Sequence, residues 1–328
     1  MERFKVGIIG AGHIAQKMAH TLRDMEETEP YAVASRNLEN AERFASEWGF
    51  TKAYGSYEAL ADDPEVQLIY IATPHSHHFE QARMCLEKGK PILCEKAFTT
   101  NAKEAEALIR LSQEKQVFLT EAIWTHYMPF SKTIRELIDS GTIGRVMMLT
   151  ANIGYPIAEV ERIIKPELGG GALLDIGVYP INFARMLFGT EITKITSACV
   201  KGETGVDLQN SITFVYRNQR MAVLQMTAFC ANDRQGIISG DKGYIIVDNI
   251  NNPQQAIVYS TNHEETARYT CPPQITGFEY QVKASIDAIR MGKIETPYMP
   301  HAETLRIMQM LDNLRLEWGV CYPMDTRP

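Results

Sequence analysis

Long apolar runs, paired cysteines and an excess of positive charge are all missing from this chain of 328 residues. No stretch approaches the roughly 20 consecutive apolar residues that a membrane-crossing helix needs. The apolar stretch near the start is interrupted by glycines, so no signal peptide is expected and a cytoplasmic protein is. The six cysteines, Cys85, Cys94, Cys199, Cys230, Cys271 and Cys321, are scattered. Without a Cys-x-x-Cys pair they argue against a structural zinc site or a redox dithiol, and they read as reduced, mostly buried small hydrophobes. Lys and Arg number 33 against 40 Asp and Glu, a net charge of -7 with no basic block to neutralise the phosphates of a duplex, so no nucleic-acid partner is expected. Internal repeats and low-complexity linkers are lacking too. What remains, 45% apolar and 22% charged, is the composition of an ordinary globular chain long enough for about two domains.

The most informative segment is Lys5-Val-Gly-Ile-Ile-Gly-Ala-Gly-His-Ile-Ala15. It reads as a buried strand running into a Gly-x-Gly-x-x-Ala turn and then a helix with Ile14, Met18, Ala19 and Leu22 on one face. Gly10 allows the sharp turn, Gly12 removes the Cβ that would obstruct a pyrophosphate, and Ala15 permits close helix–strand packing. A dinucleotide phosphate would then meet the N-terminal amides of His13 and Ile14. An ordinary strand–loop–helix junction is the plainer alternative.

Up to residue 121 short apolar runs alternate with helical patterns, the rhythm of a parallel sheet covered on both faces. Strands are expected at Phe4 to Ile9, Tyr31 to Ser35, Leu68 to Ala72, Ile92 to Cys94 and Val117 to Thr120, with helices near Ala41 to Trp48, Phe79 to Lys88 and Ala102 to Glu114. After a helix around Phe130 to Ser140 the pattern turns β-rich, with seven strand-like segments between Val146 and Ser260, and two helices near Glu279 to Met291 and Ala302 to Trp318 close the chain. The expected fold is α/β: an N-terminal doubly wound Rossmann domain, residues 1–121, plus a C-terminal α+β domain, residues 122–328, with a large, mainly antiparallel open sheet.

An NAD-preferring fold usually ends its second strand in an acid that bonds the ribose hydroxyls. Here Ser35-Arg36 stands there, and an Arg fork with a hydroxyl suits a 2′-phosphate, so NADP is expected over NAD unless Arg36 is merely a solvated loop cation. The segment Tyr70-Ile-Ala-Thr-Pro-His-Ser-His-His78 follows another strand, at the carboxyl end where open α/β sheets bind ligands. Thr73 and Pro74 are expected to line the dinucleotide, and His78, which would open the next helix, to contact it, with Glu95 and Lys96 as further cofactor contacts at the end of the following strand. Three imidazoles with no carboxylate or thiol at ligand spacing are a poor metal site, and no metal is expected.

Two further segments carry chemistry. Ile92-Leu-Cys-Glu-Lys-Ala97 ends a strand in Glu95 and Lys96, either a surface ion pair or an ammonium aimed at the cleft to polarise a substrate oxygen. Gly169-Gly-Gly-Ala-Leu-Leu-Asp-Ile-Gly-Val-Tyr-Pro180 is a glycine-rich turn entering a helix, with Asp175 and Tyr179 four apart on one face. A phenol titrates near 10, so Tyr179 needs a nearby cation such as Lys96 to work as an acid–base group. The plainer readings are a helix-capping Asp175 and a packed Tyr179.

Together these segments resemble the Gfo/Idh/MocA oxidoreductases, and the likeness runs from the glycine turn through Glu95-Lys96 and Gly169 to Tyr179 as far as Met291-Gly-Lys-Ile-Glu-Thr-Pro. The family's catalytic Lys corresponds to Lys96. Tyr179, where many members have His, and Glu121-Ala-Ile-Trp-Thr-His-Tyr-Met-Pro129 are similar to the branch of glucose–fructose oxidoreductase, dimeric dihydrodiol dehydrogenase and NADP-dependent D-xylose dehydrogenase. The resemblance implies hydride transfer between a nicotinamide and a secondary alcohol or carbonyl of a sugar, cyclitol or dihydrodiol. Tyr179 would exchange the proton, Lys96 would position and acidify, and Asp175 would hold the substrate or Lys96. Trp124, His126 and Tyr127 are expected pocket walls, and a homodimer or homotetramer through the C-terminal sheet is implied. Two departures stand out: Ala97 replaces the family's Pro, which suggests a looser loop, and His126 stands where the branch has Arg. A non-catalytic NADP(H)-binding sensor on the same fold is the rival reading.

Overall fold

The structure, a computed structural model, describes residues 2–326. Its first half alternates β1 (Phe4–Ile9), α1 (His13–Asp24), β2 (Thr28–Ala34), α2 (Leu38–Trp48), β3 (Lys52–Tyr54), α3 (Tyr57–Asp62), β4 (Leu68–Ile71), α4 (His75–Glu87), β5 (Ile92–Glu95), α5 (Ala102–Lys115) and β6 (Leu119–Ala122). These six strands form one parallel sheet in the order β3-β2-β1-β4-β5-β6, the doubly wound arrangement whose strand order reverses beside β1. Strands β4, β5 and β6 are buried at every position, as the near-continuous apolar runs demand of a sheet covered on both faces.

The β3 strand and α3 have no counterpart in the sequence reading. Lys52-Ala-Tyr54 is three residues long and half-buried, too short for an alternation to register. Their junction is held by Asp63, which is 6% exposed. Burial raises its carboxyl, but Lys52 Nζ at 2.8 Å, the Tyr54 hydroxyl at 2.6 Å and the Glu65 N–H at 3.0 Å outweigh this and hold it at about 2. An unfolded Asp titrates near 3.8. The contribution is therefore complete above about pH 4 and is lost as the pH falls through about 2, amounting to about 2 kcal/mol. Acid unfolding of Asp63→Asn followed by circular dichroism should lack this component; a variant with the wild-type pH profile would contradict it.

The second half contains α6 (Pro129–Asp139), β7 (Val146–Gly154), α7 (Glu161–Ile164), α8 (Val178–Phe188), β8 (Ile192–Lys201), β9 (Asp207–Tyr216), β10 (Met221–Thr227), β11 (Gly236–Gly240), β12 (Gly243–Val247), β13 (Gln255–Ser260) and β14 (Glu265–Thr270), followed by α9 (Glu279–Arg290) and α10 (His301–Trp318). The eight strands make one sheet in the order β14-β13-β12-β11-β7-β10-β9-β8, antiparallel except where β7 meets β10. One face carries Ile212, Leu224, Leu149, Ile238, Ile245 and Val258, all 0–2% exposed, and α8 packs on it: a Cβ on Gly236 would meet the Phe183 ring at 2.5 Å. The outermost strand, β14, was missed by the sequence reading because an edge strand with Glu265, Thr266 and Arg268 exposed shows no apolar period.

The chain divides into two compact units, one running to Tyr127 and resuming over Gln274–Asp312, the other comprising Met128–Pro273 and Asn313–Pro328. The sequence boundary at residue 121 differs from this division mainly because residues 274–312 return to the first unit. There the Leu119 N–H donates to the Ile294 carbonyl and the Ala102 N–H to Asp312. Contacts of this kind join residues some 200 positions apart and leave no local mark in the sequence.

Candidate active site

At the end of β1 the chain turns through Gly10, whose φ of +103° suits glycine alone, and a Cβ there would lie 2.9 Å from the Ala72 carbonyl oxygen. Gly12 is different: a Cβ on it would meet nothing within 4 Å, so nothing in the protein requires glycine there. A ligand lying close against the backbone would. Gly12 caps α1 without a side-chain bond, no acid occupies the first turn, and His13 is exposed beside half-buried Ile14. The N-terminal amides thus present their positive end without a carboxylate to occupy it, as a pyrophosphate needs. Ala15, 0% exposed, seats the helix on the sheet.

The turn after β2 holds Ser35 and Arg36. Asn37 caps α2 by accepting the Asn40 N–H at 3.1 Å, which fixes the loop. Arg36 is exposed, close enough to Tyr57 for its charge to act on that phenol, and it keeps its guanidinium N–H groups for a ligand.

The loops after β4 and β5 are tied together by His78, which is 0% exposed. Its Nε2 lies 2.8 Å from the Thr73 carbonyl, and its Nδ1 lies 3.0 Å from that of Ala97 and 3.3 Å from that of Phe98. His78 therefore shapes both loops from beneath, and its ring is not on the ligand-facing surface where the sequence reading put it. Thr73 Oγ1 donates to Gln81 at 2.6 Å, and Pro74 caps α4 with His75, a turn earlier than expected, as its first residue. The Ala97 side chain is wholly buried and its carbonyl meets His78, so the loop is held by packing where the family uses proline.

Glu95 ends β5 almost fully buried, accepting the Tyr70 hydroxyl and, at 3.3 Å, the Lys96 N–H; burial raises its carboxyl. Lys96 follows, half-buried, at the carboxyl end of the sheet. A second buried carboxylate, Glu121, is pushed up to about 7 by burial, which the nearby Thr304 and Phe98 backbone only partly offset. The sequence reading missed Lys17. Burial lowers its ammonium to about 8, partly offset by Glu95 and Glu279, and it lies 3.9 Å from the Trp124 ring centroid and 4.1 Å from that of Phe278. One turn in from the glycine loop, it looked like any helix-surface cation.

The three expected pocket walls fare differently. Trp124 is 5% exposed and stacks edge to face on Phe278 at 4.9 Å. Tyr127 is 4% exposed, with its hydroxyl 2.8 Å from Thr120 Oγ1 and donating to the Glu121 carbonyl at 2.9 Å, so its phenol is committed to the interior. His126 is half-buried with Nδ1 3.2 Å from the Tyr298 carbonyl.

Asp175 and Tyr179 belong to the second unit. The glycine turn leads not into a plain α-helix but into a π-helical turn, Leu173–Gly177, continued by α8. Such turns recur at functional sites. Because this turn closes one residue late, residues four apart fall just short of one revolution, and Asp175 and Tyr179 keep to one side. Asp207, 0% exposed, accepts the Leu173 N–H at 2.6 Å and anchors the start of the run, while Arg162 Nη1 lies 2.5 Å from Asp175 Oδ1. Arg162 and Asp207 escaped the sequence reading because they are 13 and 34 residues from their partners and sit in no motif. Tyr179 is 9% exposed.

The chain is similar to known proteins along both units. Residues 4–123 match the oxidoreductase family with an NAD-binding Rossmann fold, and residues 131–246 match the GFO/IDH/MocA C-terminal domain. Trans-1,2-dihydrobenzene-1,2-diol dehydrogenase of Xenopus tropicalis is 36% identical over 327 residues, covering 97% of this chain and 99% of the relative. The Homo sapiens enzyme of that name is 32% identical, with 98% of each covered. Among solved structures, KijD10, a 3-ketoreductase from Actinomadura kijaniata in complex with NADP and TDP-benzene, superposes with a TM-score of 0.88 at 25% identity, over 96% of this chain and 98% of that one. The chain belongs to the Gfo/Idh/MocA family of oxidoreductases, with an NAD-binding Rossmann domain and the family's C-terminal domain.

Proposed function

We propose that this protein is an NADP(H)-dependent dehydrogenase or reductase that moves a hydride between the nicotinamide and a secondary alcohol or carbonyl carbon of a sugar, cyclitol or dihydrodiol. The reading is carried by two features, each within its own unit: a built dinucleotide cradle ending in Lys96, and a π-helical turn that keeps Asp175 and Tyr179 to one side. Gly10, Gly12 and the α1 amides fit a pyrophosphate, Thr73 and Pro74 flank it, and Ser35 with Arg36 fits a 2′-phosphate.

When bound, the nicotinamide supplies or accepts the hydride. Lys96 holds the substrate oxygen and stabilises phenolate at Tyr179, bringing a phenol that ordinarily titrates near 10 into working range. Tyr179 gives its proton to the oxygen of a carbonyl substrate, or takes it from an alcohol. Asp175, fixed by Arg162, orients a substrate hydroxyl. His126, half-buried, contacts the substrate at the position where the resembling branch usually has Arg. Incubation with NADP+ and a panel of trans-dihydrodiols, aldoses and cyclitols should give reduced cofactor with at least one class; silence across the panel in both directions would contradict the reading.

The same reading includes a homodimer or homotetramer through the C-terminal sheet. Its face opposite α8 carries the cross-strand row Thr213, Val223, Thr150, Ile237, Ile246 and Ile257, with Met148 and Met221 exposed beside it. An apolar face of this breadth favours a second copy. Light scattering at micromolar concentration should give at least twice 37.0 kDa. A monomer there would contradict it.

A further inference from the structure

Arg234 has a backbone geometry that its surroundings enforce. Among the described residues, four other than glycine have positive φ: Gln116, Gln219, Arg234 and His263. Gln116 caps α5, and Gln219 and His263 sit in the hairpin turns after β9 and β13, where left-handed backbone is routine. Arg234 closes no such turn. It stands two residues before β11 with φ +57°, a conformation costly for a side chain of its size. Three bonds hold it there: its N–H meets Asn152 Oδ1 and Asn232 Oδ1, both at 3.2 Å, and its carbonyl accepts the Ile250 N–H at 2.9 Å.

That backbone aims a half-buried guanidinium at Tyr155, the residue just after β7. Arg234 Nη1 donates to the Tyr155 hydroxyl at 3.1 Å, its Cζ lies 5.4 Å from the ring centroid, and Asn251 Nδ2 donates to the same hydroxyl at 3.2 Å. With two bonds received, the Tyr155 oxygen has its own proton left to give. Among the described residues no carboxylate pairs with Arg234; the neighbouring Asp233 carboxylate accepts from Asn152 and the Gln235 N–H. The cluster is cationic and rich in donors, and it lies at the end of the sheet over which the Tyr179 helix runs. A Cβ on Gly177 would come 3.5 Å from Met226, and Phe183, one turn beyond Tyr179, fills the space beside Gly236 and Ile250.

We propose that Arg234, Tyr155 and Asn251 form a specificity site for an anionic group, a carboxylate or a phosphate, carried by the polyol substrate. This rests on the reading of Tyr179 as the proton-exchanging residue of a sugar-type oxidoreductase. A guanidinium and a phenol O–H converging on one acceptor match an oxyanion better than a neutral hydroxyl, because both bonds become charge-assisted. Strain held at one residue, with three bonds spent to keep it, is expected where that side chain binds.

The test uses the full chain with NADP+ and three probes: glucose, glucuronate and glucose 6-phosphate, titrated by calorimetry. At least one anion should bind ten-fold or more tightly than glucose; the carboxylate winning assigns a sugar acid, the phosphate a sugar phosphate. Arg234→Gly should abolish that margin with a Tm no lower than wild type, since glycine accepts the left-handed backbone. Tyr155→Phe should reduce the margin several-fold and guards against a misfolded first variant. Equal binding of all three probes, binding of none, or a margin that survives Arg234→Gly would overturn the proposal. The two readings fail separately: anion selectivity without turnover of any substrate sinks the enzyme, whereas turnover of neutral polyols without selectivity sinks only this site.

Discussion

Replacing Tyr179 by phenylalanine should lower kcat by about 10²–10⁴-fold, the contribution of a positioned proton donor. The ring, 9% exposed, is kept, so cofactor affinity and Tm should change little. A packing residue would behave in the opposite way, with turnover preserved. Lys96→Met should also cut turnover, and because the two are proposed to act as one unit, the double variant should lose much less than the product of the single losses. Steady-state kinetics on the best substrate from the panel, with cofactor titrations on the same samples, decide the matter. A phenylalanine variant with near-normal kcat would transfer the proton-exchanging role to Lys96 or His126.

Arg36→Ala should weaken NADP(H) binding by about ten- to a hundred-fold, the loss of one charge-assisted contact of roughly 1.5–3 kcal/mol. Binding of NAD(H), which has no 2′-phosphate, should stay within a few-fold. Direct titration of both cofactors against both proteins tests this, and wild-type affinities that are equal, or a variant unchanged toward NADP(H), would contradict the assignment.

The parts of this protein visible in its sequence are those fixed by local chemistry. Gly10 is required by its φ and by the Ala72 carbonyl, the buried strands by their unbroken apolar runs, and the α5 start by Asn101, whose side chain accepts the Glu104 N–H, whereas α2 begins at Leu38, capped by Asn37, three residues before the expected Ala41. The helix after Gly171 was expected, but its π-helical opening was not, because the Asp207 carboxylate that meets the Leu173 N–H comes 34 residues later. Trp124 and Tyr127 show the same limit. Their motif is local, whereas their burial depends on Phe278, Thr296 and Tyr298, more than 150 residues away. His78 was read as a ligand contact from its place after a strand; two loops closing over it made it an internal brace. Arg234 lay outside every motif, since its distinguishing feature is a backbone angle.

The central claim is direct hydride transfer from a substrate carbon to NADP+ in a site served by Lys96 and Tyr179. The measurement that meets it squarely is isotopic: a substrate deuterated at the carbinol carbon is oxidised with NADP+, and the reduced cofactor is isolated and its nicotinamide ring examined by mass spectrometry and NMR. Deuterium on one face of the ring, formed by wild type and reduced at least a hundred-fold in rate by Tyr179→Phe, is the predicted result. Tight NADP(H) binding with no label transferred from any substrate would contradict the account and make this chain a nucleotide-binding sensor instead.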